Sequence, residues 1–151
     1  MACEIRRASE ADAEAISGVI LAALRETNAK DYPPHIIDRV AENFNPAAVR
    51  KLLDSRAVFV AIYDGRIVGT ASLDDAVVRT VFVSPSAQRR GIGASLMAAI
   101  EHAAMARGVA SLSVPSSVTA QRFYEKLGFN VVGDSFYGDE RTVIMERSLI
   151  P

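Results

Sequence analysis

The sequence predicts a mixed α/β (α+β) fold in which one sheet carries helices on its faces. Apolar residues recur at helical spacing in separated stretches, as in Ile16, Val19, Ile20, Ala23 and Leu24. β-Branched runs such as AVFVAIY, RIVGTASL and AVVRTVFV lie between those stretches and read as strands. The chain has 151 residues, half of them hydrophobic, which suits one domain over residues 1–151 with a single sizeable core.

Cys3 to Ala8 reads as a short first strand. Ser9-Glu10-Ala11-Asp12 has the pattern of a capping box and opens a helix that ends near Asn28. The paired prolines of KDYPPH then demand a loop. A second helical region runs from about Ile36 to Phe44. It restarts at Asn45-Pro46, a side-chain cap followed by proline in the first helical position.

Asp64-Gly65 between AVFVAIY and RIVGTASL is a two-residue hairpin signal. Asp74-Asp75 leads into AVVRTVFV, which Pro85 stops. From Ile92 the spacing is helical again, through Leu96, Ala99, Ile100 and Ala103, and Gly108 ends it. VASLSV is the next strand, with Pro115 as its breaker. Ser117 to Leu127 reads as a helix closed by Gly128, and FNVVGDSFY and RTVIMERSLI as two strands around the turn GDE. The order is β-α-α-β-β-β-α-β-α-β-β, a mixed sheet covered by helices.

Net charge is −1, which offers nothing to nucleic acid or an anionic membrane. Its distribution is uneven. From Ala76 to Tyr124 the only acid is Glu101, against five arginines, so this segment carries +4 and the remainder −5. A basic middle in a neutral chain suits a small polyanionic ligand. Cys3 is the only cysteine, the two histidines have no ligand-spaced partners, and no metal site is expected. With no signal-peptide pattern and no membrane-length apolar run, a cytoplasmic location is expected.

The stretch AQRRGIGA, Ala87 to Ala94, lies between a strand and a helix. A helix start has unpaired amides and positive dipole charge, and glycine lets backbone approach a ligand closely. Arg89 and Arg90 add mobile positive charge. This favours a pyrophosphate held mainly by main-chain amides from about Arg89 to Ala94. A dinucleotide fingerprint would require glycine where Leu96 stands, and a P-loop would require Gly-Lys-Ser/Thr, which does not occur.

VFVSPSAQRRGIGASLM resembles the acetyl-CoA signature of the GNAT superfamily of acyl-CoA-dependent N-acyltransferases, and SSVTAQRFYEKLGF resembles its second motif. The element order is similar too, so the resemblance covers nearly the whole chain. It implies a GNAT-like, mostly antiparallel sheet and acetyl-CoA as acyl donor. It implies that Gln88, Arg89, Arg90, Gly91, Ile92, Gly93 and Ala94 bind the pyrophosphate, and that the backbone of Phe82 and Val83 pairs with the pantetheine arm. A bulge would splay this strand from VASLSV to admit the thioester. By the same analogy Tyr124 is the general acid that protonates departing CoA thiolate.

Two departures stand out. Ser117 occupies a position that is often asparagine, so Ser117 and Thr119 are the candidate cofactor contacts there. Relatives often carry a glutamate as general base on the strand before the signature. That strand here offers Arg79, and the base is left unassigned. The expected reaction is acetyl transfer to the amine of a small molecule or peptide by direct attack. The alternative is a non-catalytic acyl-CoA-binding sensor or partner protein on the same fold. NAKDYPPHIID and YGDERT are expected to line the acceptor pocket, Phe44, Phe59 and Phe123 to lie in the core, and a homodimer is among the assemblies the resemblance allows.

Overall fold

Local chemistry sets where this chain turns. The computed structural model describes residues 3–150. Asp64 and Gly65 both take positive φ, 53° and 73°, the turn whose twist suits a tight hairpin. They join β2 (Ala57–Tyr63) to β3 (Arg66–Asp74). With β1 (Glu4–Arg7), β4 (Val77–Val83), β5 (Ser111–Ser117), β6 (Asn130–Tyr137) and β7 (Glu140–Ser148) they form one sheet, ordered β1-β2-β3-β4-β5-β7-β6. Every neighbouring pair is antiparallel except β4 and β5.

Helices α1 (Ala13–Glu26), α2 (Pro34–Ala41) and α3 (Pro46–Ser55) cover one face, where Ile16, Ile20, Ile37 and Val49 pack on Val58 and Val60. Helix α4 (Ile92–Ala106) and the short α5 (Gln121–Lys126) cover the other. There Leu96, Met97 and Ile100 meet Ala71, Leu73, Val78 and Leu112, all buried. Each of these side chains larger than alanine contributes about 1.5–3 kcal/mol by leaving water. The central strand β3 is buried from Val68 to Leu73 because both cores press on it.

Caps are where the sequence places them. Asn45 Oδ1 accepts from the Ala48 amide at 2.8 Å, with Pro46 opening α3. The Ser9 amide donates to Asp12 Oδ2 at 2.8 Å, and Arg6 Nη1 reaches the same oxygen at 2.8 Å.

Three expectations change. Pro115 does not break β5; the strand runs through it, paired with Ile144 of β7. The reason is direction. Ser113 donates its amide to Ala76 O, toward β4, so alternation points the nitrogen of Pro115 toward β4 as well, where no ladder bond is made. Because β5 continues to Ser117, α5 begins at Gln121 rather than Ser117, after a turn in which the Ala120 amide donates to Ser117. The second helical region starts at Pro34, the first helical residue after an extended Pro33, and tightens to a 3-10 turn at Glu42–Phe44.

The feature that positions the site is in β4. Ser72 faces Arg79 and Thr70 faces Phe82, leaving Thr80 and Val81 opposite Ala71 alone. This is a β-bulge, and Thr80 takes φ 57° within it. A β-branched residue in that region is strained by about 1–3 kcal/mol. Beyond it β4 leaves β5: Val77–Ser113 is their one register pair.

Candidate functional site

The parting of β4 and β5 opens a cleft of about 800 Å³ through the middle of the sheet. One end meets the start of α4. Gly91 is the N-cap of that helix, at φ 76°, and it has no side chain to cap the first turn. The first intrahelical bond is Ser95 N to Gly91 O, which leaves the amides of Ile92, Gly93 and Ala94 without helical partners at the cleft. An anion placed there meets three donors and the positive end of a 15-residue helix.

The two glycines serve different ends. A Cβ on Gly91 would meet nothing within 4 Å, so its requirement is the left-handed conformation. A Cβ on Gly93 would fall against the ring of Phe123.

Among the expected residues, Phe82, Val83, Gln88, Arg89, Gly91, Ile92, Gly93, Ala94, Ser117, Thr119 and Tyr124 all line the cleft. Arg90 does not. Its guanidinium lies 5.4 Å from the centre of the Tyr63 ring and donates to the Tyr63 hydroxyl at 3.4 Å. Gln88 lines the cleft as a brace: its amide nitrogen donates to Val83 O at 3.3 Å and to Thr27 Oγ1 at 3.2 Å. Ser84 sends its amide to Val68 O on β3, so alternation turns the backbone groups of Val83 toward the gap.

Tyr124 is buried among Phe123 and Phe129, with edge-to-face contacts at 5.0 and 5.5 Å between ring centres. Its hydroxyl makes no hydrogen bond to another described residue. Burial pushes the phenol well above its usual value of 10.0, so it stays protonated at neutral pH. Ser117 Oγ caps the turn into α5, and Thr119 Oγ1 donates to Asp31 at 2.8 Å.

The far end is built by the two segments expected there. Tyr32 Oη donates to Arg141 O at 2.9 Å and accepts from the Val118 amide at 2.8 Å. His35 Nε2 lies 2.7 Å from Asp139, and Arg39 pairs with Glu140 at 3.3 Å. Ile36, Ile37, Val40 and Phe44 supply an apolar wall. Phe44 and Phe123 are therefore half-buried cleft residues rather than core, and Phe59 is half-buried against the α4 core.

Sequence reasoning reached Tyr32 and Glu140 only as members of NAKDYPPHIID and YGDERT, and it missed Arg56 as a lining residue, which no spacing singles out. Arg79, the one charged residue of β4, pairs with Asp74 at 3.2 Å and also lines the cleft. Among the described residues no cluster of His, Cys, Asp and Glu could hold a metal, and no helix is long and apolar enough to cross a membrane.

Residues 28–148 match the family model described as an acetyltransferase (GNAT) domain. The chain is 28% identical over 129 residues to the uncharacterized N-acetyltransferase YafP of Escherichia coli K12, covering 85% of this chain and 82% of that one. Its fold superposes on a GCN5-related N-acetyltransferase from Rhodopseudomonas palustris with a TM-score of 0.93 at 25% identity, over 99% of this chain and 97% of the other. The PaiA N-acetyltransferase of Thermoplasma acidophilum, solved with coenzyme A, matches with a TM-score of 0.84 at 20% identity, over 98% and 99% of the chains. The yncA acetyltransferase of Salmonella typhimurium, solved with acetyl-CoA, matches at 0.70 and 21%, over 100% and 96%.

Proposed function

The chain belongs to the GNAT acetyltransferase family, and on that footing we propose that it transfers an acetyl group from acetyl-CoA to the primary amine of an acceptor by direct attack within a ternary complex. One observation carries the reading: an uncapped helix start, a strand edge freed by a bulge and a buried phenol with no hydrogen-bond partner among the described residues line the same cleft. The donor is supported by the Thermoplasma and Salmonella relatives, solved with coenzyme A and acetyl-CoA.

In this reading the amides of Ile92, Gly93 and Ala94 take the pyrophosphate, with Arg89 adding charge. Pantetheine lies along the backbone of Phe82 and Val83 as an added strand. The neutral amine attacks the thioester carbonyl, and a main-chain amide near Val83 stabilises the oxyanion. As the carbon–nitrogen bond is completed the carbon–sulfur bond breaks, and Tyr124 gives its proton to the thiolate. The proton lost by the amine replaces the one Tyr124 gave, so the cycle closes with no net proton change. Holding both substrates in one cleft supplies much of the acceleration.

Calorimetric titration with acetyl-CoA, followed by thiol release against a panel of amines, amino acids, peptides and amino sugars, tests this. CoA release with at least one acceptor is expected. Tight acetyl-CoA binding with no release from any acceptor would instead establish a binding protein on this fold.

A further inference from the structure

Beside the bulge, on the face covered by α1 and α2, lies a guanidinium that the proposed reaction does not use. Arg56 follows α3, is half-buried and lines the cleft. Its Nη1 donates to Thr80 Oγ1 at 3.1 Å and lies 3.5 Å from Ser72 Oγ. Neither partner is charged, and among the described residues Arg56 has no ion pair. A partly desolvated cation without an anion is an incomplete arrangement.

The charged groups facing it are few. Burial makes Arg56 easier to deprotonate, the nearby Arg79 adds to that effect, and Asp74 acts in the opposite direction. Asp74 is itself bonded to Arg79 Nε at 3.2 Å. The set of two arginines and one aspartate therefore carries one unit of surplus positive charge. That charge sits beside Thr80, two residues before Phe82, whose backbone with that of Val83 is proposed to hold the pantetheine arm.

From this we infer that Arg56, backed by Arg79, is a subsite for a monoanionic carboxylate on the acceptor, which makes the acceptor a small amino acid rather than a polyamine. This rests on the proposed acetyl transfer. One surplus charge matches a carboxylate better than a doubly charged phosphate. With Nη1 engaged by Thr80, the remaining edge of the guanidinium offers the paired donors that a carboxylate accepts. A polycation would meet two arginines at the place where its amine has to enter.

The test compares matched acceptors: α-, β- and γ-amino acids, their methylamides, and spermidine. Each is assayed for CoA release and, separately, for calorimetric binding to protein loaded with CoA. The acids are expected to bind about 10- to 100-fold more tightly than their amides, the scale of a charge-assisted hydrogen-bond pair, and spermidine least. Arg56→Gln should collapse the acid-to-amide ratio toward one while keeping the affinity for acetyl-CoA, which reports that the fold is intact. Arg56→Lys should restore part of the ratio. Equal binding of acids and amides overturns the subsite whatever the turnover. An Arg56→Gln variant that slows acids and amides alike also overturns it and leaves Arg56 as a support for the bulge. Acid-selective binding without CoA release from any compound would overturn the transfer reaction alone.

Discussion

The ring of Phe123 occupies the space that a Cβ on Gly93 would need: such an atom would sit 2.9 Å from Phe123 Cε1. The start of α4 and the residue preceding Tyr124 are thus in direct contact, so the proposed pyrophosphate end of the cleft and the proposed acid are mechanically joined. Gly93→Ala should displace the ring and lower stability by about 1–3 kcal/mol, the usual range for overpacking. Phe123→Leu should recover part of that loss in the double variant. Denaturant melts of the four proteins check this, and strictly additive effects would show that the contact carries no strain.

Gly91 presents a different case, since there is space for a side chain but the backbone is left-handed. Gly91→Ala should lower stability by about 1–2 kcal/mol, and Gly91→Val by more, because β-branching crowds that conformation further. If the freed amides hold the pyrophosphate, Gly91→Val should also abolish measurable acetyl-CoA binding. Unchanged affinity in that variant would remove the anion cradle from the account.

For Tyr124, the phenol lies above its ordinary value of 10.0 because it is buried, so the acid form persists through the alkaline range in which free amines predominate. Tyr124→Phe should lower kcat by about 10²- to 10⁴-fold, the span of general-acid contributions, with little change in acetyl-CoA affinity. Wild-type kcat should show no falling limb from this group below about pH 10. A full-rate Tyr124→Phe enzyme would reassign the proton donor.

Acid stability has a specific source. Arg6 donates to Asp12 at 2.8 Å and, together with the Ser9 amide, holds the carboxyl at about 2, from 3.8. A depressed carboxyl stabilises the fold above its unfolded value, and that contribution is lost as pH falls through the folded one. Stability should therefore drop between about pH 4 and pH 2. Asp12→Asn should flatten that part of the profile and lower stability at neutral pH, as measured by thermal melts across pH.

What was legible in the sequence was local. Asp64-Gly65, Asn45-Pro46 and the helical spacing of Ile92, Leu96 and Ile100 each fix structure through neighbours within a few residues. Gly91, Gly93 and Tyr124 were linked to one cleft by the resemblance of two motifs and not by local chemistry, since Tyr124 lies 31 residues after Gly93. Pro115 was misread because its tolerance depends on which strand its nitrogen faces, a property of the sheet and not of VASLSV. Arg89 and Arg90 read alike in sequence, yet only Arg89 lines the cleft, because Tyr63, distant in the chain, draws Arg90 away. Arg56 was invisible for a similar reason: its partner Thr80 is 24 residues on, in a strand irregularity that no propensity announces.

Pro115 also bears on how the sheet keeps its cleft open. Two adjacent parallel strands would ordinarily zip together and bury the groove that a ligand needs. With no hydrogen to offer at that rung, β5 cannot complete the ladder with β4, and the bulge at Thr80 carries the opposing backbone away. The sheet is thereby kept from healing its own seam. A ligand taken up as a surrogate strand, as proposed for pantetheine, would find β4 already parted from β5, with Val83 O held only by the Gln88 side chain, so little of its affinity would be spent on prying the sheet open.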